Sequence, residues 1–244
     1  MQSNSNLVYD QWLSQICDKS VYKLNIDDQF INTINDTSTL EHKNLKQILA
    51  QKVFVFAKID TSKISHIHFA ESLGLRLMDT NVTYEKHYAT NHIFNNNCEI
   101  RFAASIDEEQ TVNVARNSFV YSRFHLDHQF SKSLANEIKA EWVRNYFTGK
   151  RGNQMVLAIK DHKVVGFLQL LNHKDNLIID LIAVDNNYRR MGIANDMIAF
   201  AEKKLPQFKF VQVGTQIANV PSLKLYARMG FSIVGSSYVF HYHN

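Results

Sequence analysis

The chain is poor in the residues that loosen, cross-link or anchor a protein. It has 2 prolines and 8 glycines in 244 residues, too few for long flexible linkers. Its two cysteines, Cys17 and Cys98, stand far apart without metal-ligand spacing. That argues against a disulfide framework and points to buried thiols in a reducing cytoplasm. No apolar run is long enough to span a bilayer, and the opening Met1-Gln2-Ser3-Asn4-Ser5-Asn6 lacks the basic and apolar regions of a signal peptide. The expectation is a soluble cytoplasmic protein with no membrane partner. Charge of one sign is also missing: 27 basic against 23 acidic residues give a scattered +4, too weak for a nucleic-acid stripe. What is plentiful is core material, with 45% hydrophobic residues and a length that suits a domain and a half.

The polar Asn91 to Asn97 segment is the best boundary, dividing the chain into residues 1–96 and 97–244. Beyond it Ile100 to Ala104 reads as a strand. Asp107 with Gln110 forms a capping-box signature before a helix bearing Val112, Ala115 and Phe119. A second helix is predicted over Lys132 to Phe147, with Leu134, Ile138 and Trp142 on one face and Gly149 past its end. Met155 to Ile159 and Val164 to Leu171 form a hairpin around Asp161-His162, and Leu177 to Val184 is a third strand. Then come a glycine-bearing turn, a helix carrying Met197, Ile198, Ala201 and Leu205, a strand over Phe208 to Val213 and a helix over Pro221 to Arg228. Gly230 stops that helix and Phe231 to Tyr242 closes the chain. This order predicts an α/β (α+β) fold, a mixed central sheet flanked by helices. Val53 to Tyr84 repeats the grammar of the last strand, helix and strand at an offset of 156 residues, the distance from Gly74 to Gly230. Under it Phe69 matches Leu225 and Val82 matches Tyr238, while Ala70 stands against Tyr226. Two unrelated strand-helix-strand units would give the same pattern.

A strand that enters a glycine-bearing turn and then a helix can hold phosphate, because the first N–H groups and the positive dipole end of the helix face an anion. Here the turn is Tyr188-Arg189-Arg190-Met191-Gly192-Ile193-Ala194. It is neither a P-loop nor a dinucleotide fingerprint. Arg189, Gly192 and Ala194 match the Arg/Gln-x-x-Gly-x-Gly/Ala pyrophosphate loop of the GNAT superfamily of acetyl-CoA-dependent N-acetyltransferases, which the sequence resembles. Asn219, Ser222, Leu225, Tyr226, Gly230 and Phe231 match its second signature in the expected order.

The resemblance implies a GNAT fold preceded by a partial GNAT-like N-terminal domain, acetyl-CoA as co-substrate and no metal. It implies main-chain binding of the pantetheine arm by Ile182, Ala183 and Val184 on a bulged strand that splays from its neighbour. The cofactor phosphates would meet Arg189, Arg190, Met191, Gly192, Ile193, Ala194 and Asn195, with one phosphate contact between the two arginines. Asn219 and Ser222 would border the cofactor. Tyr226 would protonate the leaving thiolate, its other reading being a packed helix tyrosine. Asp180 interrupts an apolar strand; it is a base or amine anchor, or else a solvent-facing or salt-bridged carboxylate. His241 and His243 share a strand face, but the sequence offers no third ligand of suitable spacing.

Between the first two helices, Ser122-Arg123-Phe124-His125-Leu126-Asp127 and the following Trp142 helix resemble the TDP-fucosamine acetyltransferase branch. That branch acetylates the 4-amino group of nucleotide-linked dideoxy sugars in bacterial surface polysaccharide biosynthesis. The phosphate loop here is longer and Asp180 has no counterpart there, so a base role for it is not carried over. The implied acceptor is a dTDP-4-amino-4,6-dideoxyhexose. Arg123 suits its diphosphate, or alternatively a salt bridge to Asp127. Phe124 and Tyr121 suit stacking on base or sugar, or core packing. The rival expectations are acetylation of a peptide N-terminus, polyamine or aminoglycoside, and a silent CoA-binding sensor. No nucleic-acid partner is expected and a homodimer stays open.

Overall fold

The computed structural model describes residues 6–88, 94–205 and 208–244, so the boundary expected at Asn91 to Asn97 falls partly outside the described residues. The chain gives β1 (Leu7–Tyr9), α1 (Gln11–Cys17), β2 (Ser20–Leu24), α2 (Asp28–Asn35), α3 (Leu40–Leu49), β3 (Val53–Asp60), α4 (Ile64–Ser72) and β4 (Arg76–His87). It continues with β5 (Glu99–Phe102), α5 (Glu108–Ser118), α6 (Arg123–Leu126), α7 (Lys132–Phe147), β6 (Gln154–Lys160), β7 (Lys163–His173) and β8 (Asn176–Val184). It ends with α8 (Ile193–Lys204), β9 (Phe210–Gln216), α9 (Val220–Arg228) and β10 (Ser232–His243).

Local chemistry sets most of these bounds. The Ser131 hydroxyl accepts the Leu134 N–H at 3.1 Å to start α7, and Gly149 beyond its end has φ +70°. Asp161 and His162 both take positive φ, as a tight two-residue hairpin turn requires. The expected capping box does not form. Asp107 instead accepts two Arg101 guanidinium nitrogens and the Ala104 N–H, all at 2.7 Å, while Gln110 accepts the Val164 N–H. A charge-assisted fork outcompetes the cap.

All ten strands join one mixed sheet in the order β1-β2-β3-β10-β4-β9-β8-β7-β6-β5. The 156-residue offset carries α4 onto α9 and β4 onto β10 at both ends. β4 and β10 pair antiparallel with Asn81 opposite Ser237, its own counterpart, and with one register shift on either side of that point. β3 pairs with β10 in the register in which β9 pairs with β4. β2 runs parallel to β3 as β8 runs parallel to β9. The sheet thus has a pseudo-twofold centre, and each half receives its last neighbour from the other.

Helices α8 and α9 cover one face through Ile193, Met197, Ala201 and Tyr226, continuing into a cluster under α2, α3 and α4. On the other face α5 and α7 pack through Val112, Ala115, Ala140 and Val143, and α1, α6 and α7 through Leu13, Phe124 and Ile138. Lys86 of β4 pairs with Glu202 of α8 at 2.9 Å, both side chains nearly buried. Because Phe240 of β10 is 1% exposed inside the cluster of the first half, Phe240→Ala should cost about 3–5 kcal/mol. Urea denaturation followed by circular dichroism and by Trp12/Trp142 fluorescence should give one coincident transition. Two separated transitions would contradict the shared-strand architecture.

Candidate active site

β8 and β9 pair only over Asn176–Ile179 and Phe210–Val213, then part. Against β7, Gln169 faces Leu181 while Leu170 faces Ile179, so Asp180 is the extra residue of a bulge at the point of parting. The bulge also flips the strand's alternation. Leu177 and Ile179 face the α8 side, whereas Leu181 and Ala183 pack with α5 and α7. Past the bulge, Ile182 and Val184 turn to the α8 side, and the edge that faced β9 is unpaired. An unpaired strand edge of this kind can hold the amides of an extended ligand. By register the counterpart of Ile179 is Leu24, the last residue of β2, which pairs with Ala57 as Ile179 pairs with Val213; no residue of β2 takes the place of Asp180.

After β8 the chain passes Arg189, Arg190 (φ +64°), Met191 and Gly192 (φ +78°, the residue before α8) into Ile193, Ala194 and Asn195. The first-turn N–H groups of α8 are an anion site in kind. Arg189 is not free for it: Nε donates to the Val184 carbonyl at 3.1 Å and Nη2 to the Ser118 carbonyl at 2.7 Å. Arg190 is exposed and is the guanidinium left for an anion. Asn95 lies against Gly192, where a Cβ would collide with its amide, and donates its backbone and side-chain N–H to Asp196. Asn219 caps α9 by accepting the Ser222 N–H at 3.4 Å and donates to the Thr215 hydroxyl at 3.3 Å. Tyr226 is 2% exposed, its ring 5.5 Å from Phe231 and 5.8 Å from Tyr84. Burial pushes its phenol up, so it is protonated at neutral pH and can act only as a donor.

The face under α6 and α7 is polar where the two halves meet. Asp180 accepts from Trp142 Nε1 at 3.1 Å, Gln169 Nε2 at 3.0 Å, and Arg151 Nε at 2.8 Å and Nη2 at 2.6 Å. With both oxygens so engaged, the base role is the least suited of its expected readings and the salt-bridged one the best. Arg123 does not pair with Asp127. Its guanidinium lies 3.9 Å over the Phe56 ring and 4.6 Å over Phe124, and no carboxylate reaches it among the described residues. Burial pushes it down to about 10. Lys58 donates to Asn81 at 2.9 Å, and burial pushes the neighbouring Asp79 up to about 6. Lys139, 7% exposed, stacks 4.7 Å from the Trp142 ring and 5.0 Å from Phe119, again without a carboxylate partner among the described residues. Of the expected stacking residues, Phe124 is 1% exposed against Phe130 and is unavailable to a ligand, because the core of α1, α6 and α7 needs its ring. Tyr121 is half-buried.

Sequence reasoning missed Lys58, Asp79, Lys139 and Arg151, none of which stands in a motif. It also missed the third member of the histidine cluster. Asp127 accepts from His241 Nδ1 at 2.6 Å and His243 Nε2 at 2.7 Å, and Lys19 Nζ lies 3.1 Å from His243 Nδ1. Burial alone would raise the Asp127 carboxyl, but these two hydrogen bonds hold it well below its usual range. Burial drives His241 down to about 4. The cluster clamps the turn after α6, and with it Arg123, to β10.

Residues 120–231 match the acetyltransferase (GNAT) family. The spore coat polysaccharide biosynthesis protein SpsD of Bacillus subtilis (strain 168) is 36% identical over 137 residues, 55% of this chain and 47% of that protein. The chain thus spans about half the length of that curated relative. Among solved structures, a functionally unknown conserved protein from Staphylococcus epidermidis ATCC 12228 superposes with TM-score 0.66 at 14% identity, covering 100% of this chain and 93% of the other. A GCN5-related N-acetyltransferase from Sphaerobacter thermophilus gives TM-score 0.62 at 15% identity, covering 92% and 72%. These likenesses show the fold. Among the described residues no helix is long and apolar enough to cross a membrane.

Asp180→Asn removes the charge that Arg151 meets and should lower stability by about 1–3 kcal/mol in urea titration, while the alkaline-rising limb of the acetyl-transfer rate is retained. Unchanged stability with that limb lost would restore the base role.

Proposed function

The chain carries a domain of the acetyltransferase (GNAT) family, whose enzymes take acetyl-CoA as co-substrate, and from that premise we propose that it acetylates the amino group of a nucleotide-linked amino sugar. The acceptor is a dTDP-4-amino-4,6-dideoxyhexose, and the setting is cytoplasmic synthesis of a surface polysaccharide. The spore coat relative supports the polysaccharide setting. The observation that carries the acceptor is Arg123, a guanidinium stacked over Phe56 of β3 on the α6 and α7 side of the sheet, with no carboxylate partner among the described residues. An anionic acceptor satisfies it; a polyamine would meet Arg123 with like charge.

In this reading the pantetheine arm enters between the parted strands on the main chain of Ile182, Ala183 and Val184. The pyrophosphate lies on the Arg190 to Asn195 turn, and Asn219 and Ser222 border the arm. The acceptor approaches from the α7 side, opposite α8. Its amine attacks the thioester carbon directly, and Tyr226, kept protonated by burial, gives its proton to the departing sulfur. Arg123 holds the diphosphate and Tyr121 borders the nucleotide. Residues 97–244 form the catalytic domain. Residues 1–96 are a partial GNAT-like domain whose β2 ends at Leu24 without a counterpart of Asp180, and they lend Phe56, Lys58 and Asp79 to the acceptor's side.

A thiol-release screen over nucleotide-linked 4-amino and 3-amino sugars tests this reading. The dTDP-linked 4-amino sugar should be turned over and the free amino sugar should not. Arg123→Ala should weaken that acceptor by about 2–5 kcal/mol in kcat/KM and leave the acetyl-CoA KM unchanged. Equal turnover of the free sugar would contradict the diphosphate contact.

A further inference from the structure

N-acetyl transfer, the reaction on which this inference rests, needs a base on the acceptor's side of the sheet. An attacking amine becomes cationic as it bonds to the acetyl carbon, and the product forms only when a proton leaves it. Asp180 is at the right place but is saturated by four donors. Asp79 lies on β4, two strands from β8, roughly 9–10 Å away by strand spacing. Lys139 of α7 remains. It is 7% exposed and has neither a hydrogen bond nor an ion pair among the described residues. The Trp142 ring on which it stacks donates its N–H to Asp180, so one indole separates the Lys139 amine from the bulge where β8 and β9 part.

We propose that Lys139 takes the proton from the acceptor's amine as that amine attacks the acetyl thioester. The new C–N bond forms from the amine's lone pair and the C–S pair leaves with sulfur. One amine proton passes to Lys139 Nζ, the Tyr226 hydroxyl proton passes to sulfur, and solvent carries the proton from Lys139 back to the phenolate. The products are an amide and a neutral thiol, with no other reactant.

The surroundings of Lys139 favour its neutral form. Burial acts first, the Arg123 and Arg151 charges act in the same sense, Asp180 opposes them, and the result is about 8. His125 of α6, itself held down by burial and bonded to Ser122 and Asn136, is the other titratable neighbour. Because the lysine is neutral above that value, the rate should rise with pH and level off near 8.

Thiol release from acetyl-CoA is measured with the full chain, Lys139→Met and Lys139→Arg from neutral to alkaline pH. The acceptors are the dTDP-linked 4-amino sugar and the best other amine of the panel. Both variants should lose about a hundredfold in kcat and the limb near 8, with acceptor KM changed less than about threefold. Recovery of the rate in Lys139→Arg, which keeps the charge but not the base, would overturn the proposal. So would a raised KM with kcat intact. A second readout needs no acceptor: in protein labelled with 13C at lysine Cε, the resonance missing from Lys139→Arg should titrate near 8. Titration near the ordinary 10.5 would overturn the proposal whatever is acetylated. If only the nucleotide-sugar reading fails, another amine is preferred while the Lys139 limb persists.

Discussion

The antiparallel pairing of β4 with β10 carries each half's last strand into the other's core. About Asn81 and Ser237 the registers on the two sides mirror one another, so Phe240 fills the first half's cluster while Val82 and Tyr84 fill the second's. Neither half has a complete sheet without the other. The exchange also decides what lies at the centre of the molecule. On the face away from α8, the middle of the sheet carries Lys58, Asp79, Asn81 and Gln216, with Arg123 and Lys139 above. A hydrophobic core could have been placed there; polar groups in such a position are costly unless paired or used.

A single inserted residue separates the two chemical sides. Because Asp180 is extra, β8 stops pairing with β9 and its side chains change faces, so one strand serves the α8 side at Ile182 and the α7 side at Leu181. The carboxylate that makes the bulge is then neutralised by Arg151 and fixed by Trp142 and Gln169. That leaves Lys139 and Arg123 as basic groups for which the chain supplies no carboxylate partner among the described residues. Their stacking on aromatic rings compensates only part of the lost hydration.

Apart from α6, the elements from Glu99 onward were legible because hydrophobic period and punctuation agreed: α7 has the bounds that its apolar spacing and Gly149 imply. The turn before α8 was legible because a loop of that kind needs particular residues. The offset from Gly74 to Gly230 was visible too, although only the registers reveal that β2 stands to β3 as β8 stands to β9, one residue out of that offset. Long-range pairing was not readable. Asp107 looks like a cap until Arg101 is placed beside it, Asp127 looks like a partner for Arg123 until two histidines from β10 claim it, and Arg189 looks like a phosphate ligand until two carbonyls take it. Lys139 sits at an unremarkable helical position, and only its burial and its missing partner single it out.

On the proposed reading both halves together build one site for the acceptor's diphosphate. Calorimetric titration of dTDP, without any sugar, into the CoA-saturated protein checks this. Binding is expected that Arg123→Ala weakens strongly and Lys58→Ala weakens as well, with the double variant losing less than the sum of the two. Absence of dTDP binding to the wild-type protein, or binding indifferent to Lys58, would contradict it.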